Sequence, residues 1–438
     1  MVNELKVEFT DKQVTAWGGM KLMKEMLDSI GIKEMMKDLD LPERGSNRSY
    51  SPIQIIECFW VSIWIGAGRF SHSAYLRYDK VLQKIFGWKQ APSQSTYSRF
   101  FQKFSWKRNT EVFVPIQKWF IDNLQLDNLT IDFDSSVITR YGEQEGSKVG
   151  FNQSKPGRPS HHPLMAFISE TRMVANAWLR PGNTGSLSNC KSFIDETFEI
   201  LKDKKVGLIR ADSGFYGHDF LKYLETERQM NYIIAVKMYA TIKQELRKER
   251  TWWKLKDGME ICEFEYQSPD WKKSRRMIAV RKNIDILPKA TGKLLLFDEP
   301  VGKYRYSLFV TNLNLPAEQI WLSYKDRADA ENRIKELKYD FGLDSFCMEK
   351  FWATEAAFRT IMIAYNMMSL FRQVVLKSKS KATLSTLRFK CFALGSWISK
   401  HAGKTTLNIS AIGEKRIWLN GLFDIVKQKQ RSFYFSNA

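Results

Sequence analysis

Three acidic residues stand where folding would bring carboxylates to the edge of a sheet. Asp134 lies in the strand-like run NLTIDFDSSVI (128–138), and Asp212 follows the apolar start of VGLIRADSGFYG (206–217). Glu331 lies in the helix-like stretch YKDRADAENRIKELKYDFG (324–342). They are 78 and 119 residues apart, so only tertiary structure can join them. Carboxylates are the ligands a hard cation such as magnesium or manganese selects. Two such ions about 4 Å apart can activate an attacking oxygen and stabilise a leaving one at a phosphodiester. A single strand-end Asp carries little weight, because Asp is frequent in turns.

The surroundings of Glu331 add weight. At about 100° per residue, Arg327, Glu331, Lys335 and Lys338 fall within one arc of about 80° on a continuous helix. Ala330, Ile334, Leu337 and Phe341 form an apolar stripe beside it. On this reading Glu331 reaches a metal while Arg327, Lys335 and Lys338 neutralise phosphates. The same residues also describe a surface helix laced by i,i+4 ion pairs worth a few tenths of a kcal/mol each.

These acids need elements to hold them. The chain has 438 residues, which at roughly 150 per domain suggests about three structural units. Hydrophobic residues make up 44% and charged residues 26%, a globular composition that excludes wholesale disorder. No apolar run reaches the roughly 18 residues a membrane span needs. The start, MVNELKVEFTDKQ, has no apolar h-region, so no secretory signal is expected. Five scattered cysteines without a CxxC pair exclude a disulfide framework and a zinc knuckle, and point to a reduced, cytoplasmic protein.

The first 110 residues read as helical. Met20, Met23, Leu27 and Ile30 recur at helical spacing, and Ser51-Pro52 is a helix start. In APSQSTYSRFFQKFSW (91–106), Tyr97, Phe100, Phe101 and Phe104 share a face, leaving Ser95, Ser98, Arg99, Gln102 and Lys103 outside it. Such a helix suits the major groove in a helix-turn-helix module, though surface helices share the pattern. Strand-like runs follow, at 128–138, 162–169, 173–179 and 206–217, with a helix from Lys191 to Lys202 before the last; this is a mixed α/β pattern. Residues 230–312 hold four more short strand-like runs, and helix returns at 317–341 and 352–378.

Charge is concentrated. Residues 60–110 carry nine basic residues against Asp79, a net of +8, and residues 372–438 carry a net of +11, within a total of +20. Basic segments flanking a near-neutral body suggest a polyanion such as nucleic acid. Lys155 and Arg158, in the Gly/Pro-rich loop with His161 and His162, are further phosphate candidates. That loop offers too few ligands for zinc. Trp252, Trp253 and Trp271 are interleaved with lysines, which suits stacking on an unpaired base, although core packing is the ordinary use of Trp.

The spacing Tyr324-x2-Arg327-x3-Glu331-x6-Lys338 resembles the Tyr-Arg-Glu-Lys signature of bacterial DDE transposases. IDFDSS (131–136) and IRADSGFY (209–216) resemble their first two acid strands. YGEQEGSKVGFNQSKPGRPSHHPL (141–164) resembles the insertion-sequence thirteen-eighty family, and the likeness covers roughly residues 125–375. The resemblance implies a ribonuclease-H-like mixed-sheet α/β core interrupted by a β-rich insertion. The expected organisation is a helical DNA-binding region at 1–115, core at 125–229, insertion at 230–312, core with the Glu helix at 313–378, and a basic C-terminal region at 379–438.

It implies Asp134, Asp212 and Glu331 as catalytic metal ligands for two Mg2+ or Mn2+ ions, with Tyr324, Arg327 and Lys338 near the DNA backbone. Asp134 is preferred to Asp132 because it precedes the Ser135-Ser136 pair, which leaves Asp132 a supporting or structural acid. The implied activity is metal-dependent DNA cleavage and strand transfer, with a DNA hairpin intermediate open. Implied partners are double-stranded DNA, namely terminal inverted repeats and target, and a second copy of the chain as a homodimer in a synaptic complex. Location would be the bacterial cytoplasm, at the nucleoid, without a membrane. A catalytically inactive DNA-binding regulator and a stand-alone ribonuclease-H-like nuclease are the rival readings.

Overall fold

The computed structural model describes residues 5–46, 49–269, 271–285, 303–377 and 382–428. Parts of the expected insertion (286–302) and of the C-terminal region (379–381 and 429–438) lie outside the described residues. The chain divides into two compact units, one drawn from Met1–Leu124 and Glu336–Phe435, the other from Gln125–Lys335.

The second unit is built on a nine-stranded mixed sheet. Its strands are β1 (Leu129–Ser135), β2 (Leu164–Ile168), β3 (Val174–Trp178), β4 (Val206–Ala211), β5 (Tyr232–Ala235), β6 (Trp253–Lys256), β7 (Met259–Tyr266), β8 (Arg275–Asn283) and β9 (Tyr304–Thr311). Their spatial order is β3-β2-β1-β4-β5-β9-β8-β7-β6. β1, β2 and β3 form an antiparallel meander. β4 then adds parallel to β1, and β5 parallel to β4. The helices Cys190–Leu201 and His218–Thr226 provide the long connections that parallel pairing demands. Beyond β5 every pair is antiparallel, so the strand-rich block extends the same sheet from its β5 edge.

The alternation of LTIDFDS suggests one wet face, yet Ile131, Asp132, Phe133 and Asp134 are all buried. β1 is a central strand with a neighbour on each edge, and both its faces are covered. Its acids therefore sit in low dielectric, where a carboxylate needs a partner.

Residues 317–341 form two helices rather than one, Ala317–Asp326 and Ala328–Tyr339, which abut at Arg327. The bonds there tighten to i→i+3, Arg327 N to Tyr324 O and Ala330 N to Arg327 O. A single helical projection across Arg327 fails for that reason. The apolar stripe survives, with Ala330, Ile334, Leu337 and Phe341 all buried. The first helix lays Ile320 and Tyr324 against Ile261, Ile278 and Phe309 of the extended sheet.

In the first unit, the helix Pro52–Trp64 starts as expected, with Ser51 Oγ accepting from Gln54 N at 3.1 Å and proline in the first turn. Trp60 and Trp64, one turn apart, donate their indole N–H groups to Thr360 O and Ala364 O, one turn apart on the helix Phe351–Val374. The strands Ser396–His401 and Lys404–Ile409 form a hairpin that pairs with Val14–Thr15. Among the described residues no helix is long and apolar enough to cross a membrane.

Candidate active site

The adjacent parallel strands β1 and β4 bring the first two acids together. Asp132 is the register partner of Arg210, and Phe133 that of Ala211. Asp134 and Asp212 are each the next residue along, at the same end of the sheet. Asp134 is only 5% exposed. Asp212 turns its Oδ1 onto Gly214 N at 2.8 Å, capping the short helical turn Ser213–Phe215. A Cβ at position 214 would stand 2.9 Å from that Oδ1 and 2.7 Å from Ser186 Oγ, so a side chain there would displace one or both. Glu331 is half-buried in the first turn of Ala328–Tyr339.

Arg327 does not face outward with Lys335. It is 2% exposed, and its Nη2 donates to Asp134 Oδ2 at 2.8 Å and to Phe133 O at 3.3 Å. The helix break at Arg327 accompanies this inward placement. Tyr324 is also buried, its ring 4.4 Å from that of Phe309. Neither Tyr324 Oη nor Arg327 Nε meets a hydrogen-bond partner among the described residues.

Electrostatics tie these groups into one site. Burial pushes the Asp134 carboxyl from its ordinary 3.8 up to about 7; Arg327 opposes the shift, and the charges of Asp212 and Glu331 add to it. Burial likewise pushes the Tyr324 phenol up to about 12, with the same three acids adding to the effect and Arg327 opposing it. For Arg327 burial works against the charge, and Asp134 outweighs it with help from Tyr324, Asp212 and Asp132, so the guanidinium is held more firmly protonated than usual. Asp134, Asp212 and Glu331, carried on three elements, thus lie close enough to interact electrostatically, with the buried Arg327 among them.

Among the described residues no three His, Cys, Asp or Glu side chains close around one point in metal-binding range. The donor chemistry still suits a hard divalent cation. The charges of Asp212 and Glu331 raise the Asp134 carboxyl, so the carboxylates repel one another, and a cation between them would relieve that repulsion.

Arg210, which sequence reading missed, donates to both oxygens of Asp132 at 2.6 and 2.9 Å, to Ser169 Oγ at 2.8 Å, and to Ser323 O. Both oxygens of Asp132 are thereby engaged by one guanidinium. The available signal was its position: Asp132 and Arg210 each stand two residues before an acid.

A family model described as Transposase DDE domain group 1 matches residues 2–430. The chain is a DDE transposase. Transposase catalytic activity comes with that membership, and the family's enzymes generally use divalent metal ions. Among curated proteins, none matches. One similar solved structure is the cryo-EM synaptic complex of piggyBac transposase with hairpin DNA, at 12% identity and a TM-score of 0.44, covering 96% of this chain and 84% of that one.

The remaining sequence candidates of this transposase are dispersed. Lys335 is exposed and Lys338 half-buried. Lys155 and Arg158 are exposed and lie over the Tyr141 ring, 5.0 and 5.9 Å from its centre. His161 and His162 are buried: Arg140 Nε donates to His161 Nδ1, and the other nitrogen faces Glu145 O. Burial, reinforced by Arg140, lowers His161 to about 4, so it is neutral near pH 7.

The three tryptophans separate. Trp271 is 7% exposed, in ring contact with Tyr216, His218 and Tyr266 and under the Arg275 guanidinium. Trp252 lies half-buried beneath Arg281 and against Tyr306. Trp253, on the edge strand β6, is 50% exposed. Arg99 is exposed in the helix Gln94–Phe101, whereas Lys103 lies beyond that helix and donates to Glu43 O at 2.9 Å.

Proposed function

We propose that this transposase cuts double-stranded DNA at the terminal inverted repeats of a bacterial insertion sequence and joins the freed ends to target DNA. The observation that carries the reading is geometric: Asp134 and Asp212 stand at the same end of two adjacent parallel strands, and Arg327, four residues before Glu331, is bound to Asp134. The order β3-β2-β1-β4-β5, an antiparallel meander followed by two parallel strands, supports a ribonuclease-H-like core, with β6 to β9 as its insertion.

A pair of magnesium or manganese ions held by the three acids would supply Lewis-acid stabilisation of the attacking and leaving oxygens. The chain's own contribution is placement. Arg327 fixes one oxygen of Asp134. The pair Asp132–Arg210 holds the two acid strands in register and, through Ser323 O, ties them to the helix leading to Arg327 and Glu331. Water attack frees a 3′-hydroxyl; that hydroxyl then attacks a second phosphodiester, one P–O bond forming as another breaks. Each step needs no covalent enzyme intermediate. A homodimer in a synaptic complex would hold two ends, in the bacterial cytoplasm at the nucleoid. A hairpin step belongs to this reading, with Trp253 the most exposed of the three tryptophans.

The test is cleavage and joining of an end-labelled duplex carrying the DNA that flanks the gene. Asp134→Asn, Asp212→Asn and Glu331→Gln should each abolish both reactions with magnesium while leaving DNA binding intact. Cleavage without joining would instead identify a nuclease. Binding without metal-dependent cleavage in the parental chain would identify a regulator.

A further inference from the structure

The basic segment 60–110 does not offer its cations equally. Lys103 is held by Glu43 O, Lys107 lies 3.6 Å from Glu111, and Arg108 pairs with Asp40 at 3.0 Å. The segment's one acid, Asp79, is buried, accepting from Leu82 N at 2.7 Å and from Thr15 Oγ1. Arg77 and Arg99 differ. They line one groove of about 600 Å³ together with Ser93, Gln94, Ser95 and Ser98. No carboxylate lines it. Neither arginine has an ion pair or a hydrogen-bond acceptor among the described residues, and Arg77 Nε is buried without a partner.

Two guanidiniums in one groove with no counter-charge repel each other, and an anion entering between them relieves the repulsion. We propose that this groove is a seat for a backbone phosphate of duplex DNA, with Arg77 and Arg99 as its cationic jaws and the Ser95 and Ser98 hydroxyls as neutral donors. The guanidinium fork matches phosphate oxygens in pairs, and serine hydroxyls commonly add to such contacts. Arg77 is half-buried in the groove, so it meets a phosphate that enters from outside and does not extend to a base edge. The groove therefore sets affinity and register on the duplex without reading sequence. This replaces the expectation that Arg99 and Lys103 act together: Lys103 is turned to Glu43, and Arg77, from the separate short helix Tyr75–Tyr78, takes its place.

The inference rests on DNA being the substrate, and its test is kept apart from catalysis. Full-length protein is titrated against a fluorescent mixed-sequence duplex without divalent metal, over a range of salt. Each phosphate contact contributes about 0.9 to the slope of log affinity against log salt. Arg77→Gln and Arg99→Gln should each lower the slope by about that amount and the double variant by about twice as much. The pair Arg77→Lys with Arg99→Lys should keep the parental slope. A double Gln variant with the parental slope overturns the proposal. So does a Lys pair that loses as much as the Gln pair, since the loss then follows altered structure and not charge. Polyglutamate binding that matches DNA binding and disappears with it would make the groove a general anion patch, and also overturns it. Because no cleavage is measured, an inactive catalytic site leaves this result interpretable, and an unchanged slope leaves the three acids untouched.

Discussion

Asp132 and Arg210 are register partners on adjacent parallel strands, and Arg210 donates to both oxygens of Asp132 at 2.6 and 2.9 Å. Both are buried. The pair lies just behind Asp134 and Asp212 in the sheet, and the same guanidinium reaches Ser323 O in the helix that precedes Arg327. One cation thus touches all three elements leading to the acids.

Breaking that pair from one side leaves an uncompensated buried charge, a loss of about 3–5 kcal/mol. Arg210→Ala should therefore unfold at clearly lower urea than the parent. Replacing both partners by apolar residues, Asp132→Leu with Arg210→Met, should recover most of the stability because no charge is then stranded. An Arg210→Ala midpoint equal to the parent's would show that the pair contributes nothing.

The two acids of β1 should rank differently in catalysis. Asp134→Asn removes an anionic oxygen from the shared field and should abolish cleavage with the fold intact. Asp132→Asn keeps the shape but weakens the hold of Arg210, so it should lower stability first and retain measurable cleavage at low temperature. Single-turnover cleavage alongside urea titration separates the two. The opposite ranking would exchange the assignments.

The raised Asp134 carboxyl makes a signed pH prediction. The native state keeps this proton up to about pH 7, while the unfolded chain loses it near the ordinary 3.8. Between those values the native state binds more protons, so this group's contribution to stability falls as pH rises and levels off above about 7. Melting of metal-free protein across that window should show the decline, and Asp134→Asn should flatten it. Magnesium competes with the proton, so adding it at pH 6 should release protons to an indicator dye. Parallel melting profiles for parent and variant would refute the shift.

The tryptophans should divide by exposure. Trp271→Ala empties a packed ring cluster and should lose about 3–5 kcal/mol of stability. Trp253→Ala should leave stability within about 0.5 kcal/mol, as surface changes do, and slow hairpin closure but not first-strand nicking on end-labelled DNA. A Trp253→Ala chain that closes hairpins at the parental rate would remove Trp253 as a stacking platform.

Much of this arrangement is local and was legible in the residues. Val206–Ala211 becomes a strand because a β-branched and apolar run ends at a turn-forming Asp-Ser-Gly. Ser51-Pro52 starts a helix because a hydroxyl and a fixed φ satisfy its first turn. The stripe Ala330, Ile334, Leu337 and Phe341 is buried because its period is helical. Less was legible in the C-terminal region, where the hairpin 396–409 lacks a strict alternation and depends on pairing with Val14–Thr15, nearly four hundred residues away.

Partner choice was decided by tertiary structure alone. Nothing near Arg327 in sequence distinguishes an outward cation from one buried on Asp134; the difference arises because the helix breaks there and strand β1 lies beneath. Asp132 and Asp134 share a strand face, and what separates them is the neighbour each meets: Arg210 across the β1–β4 pair for one, Arg327 for the other. Trp253 and Trp271 are equally apolar, yet one sits on an edge strand and the other among aromatic rings. Residue type and spacing dictate which elements form and which faces they bury. The buried charges depend on distant segments, because a Coulomb interaction in low dielectric answers to distance in space and not to separation along the chain.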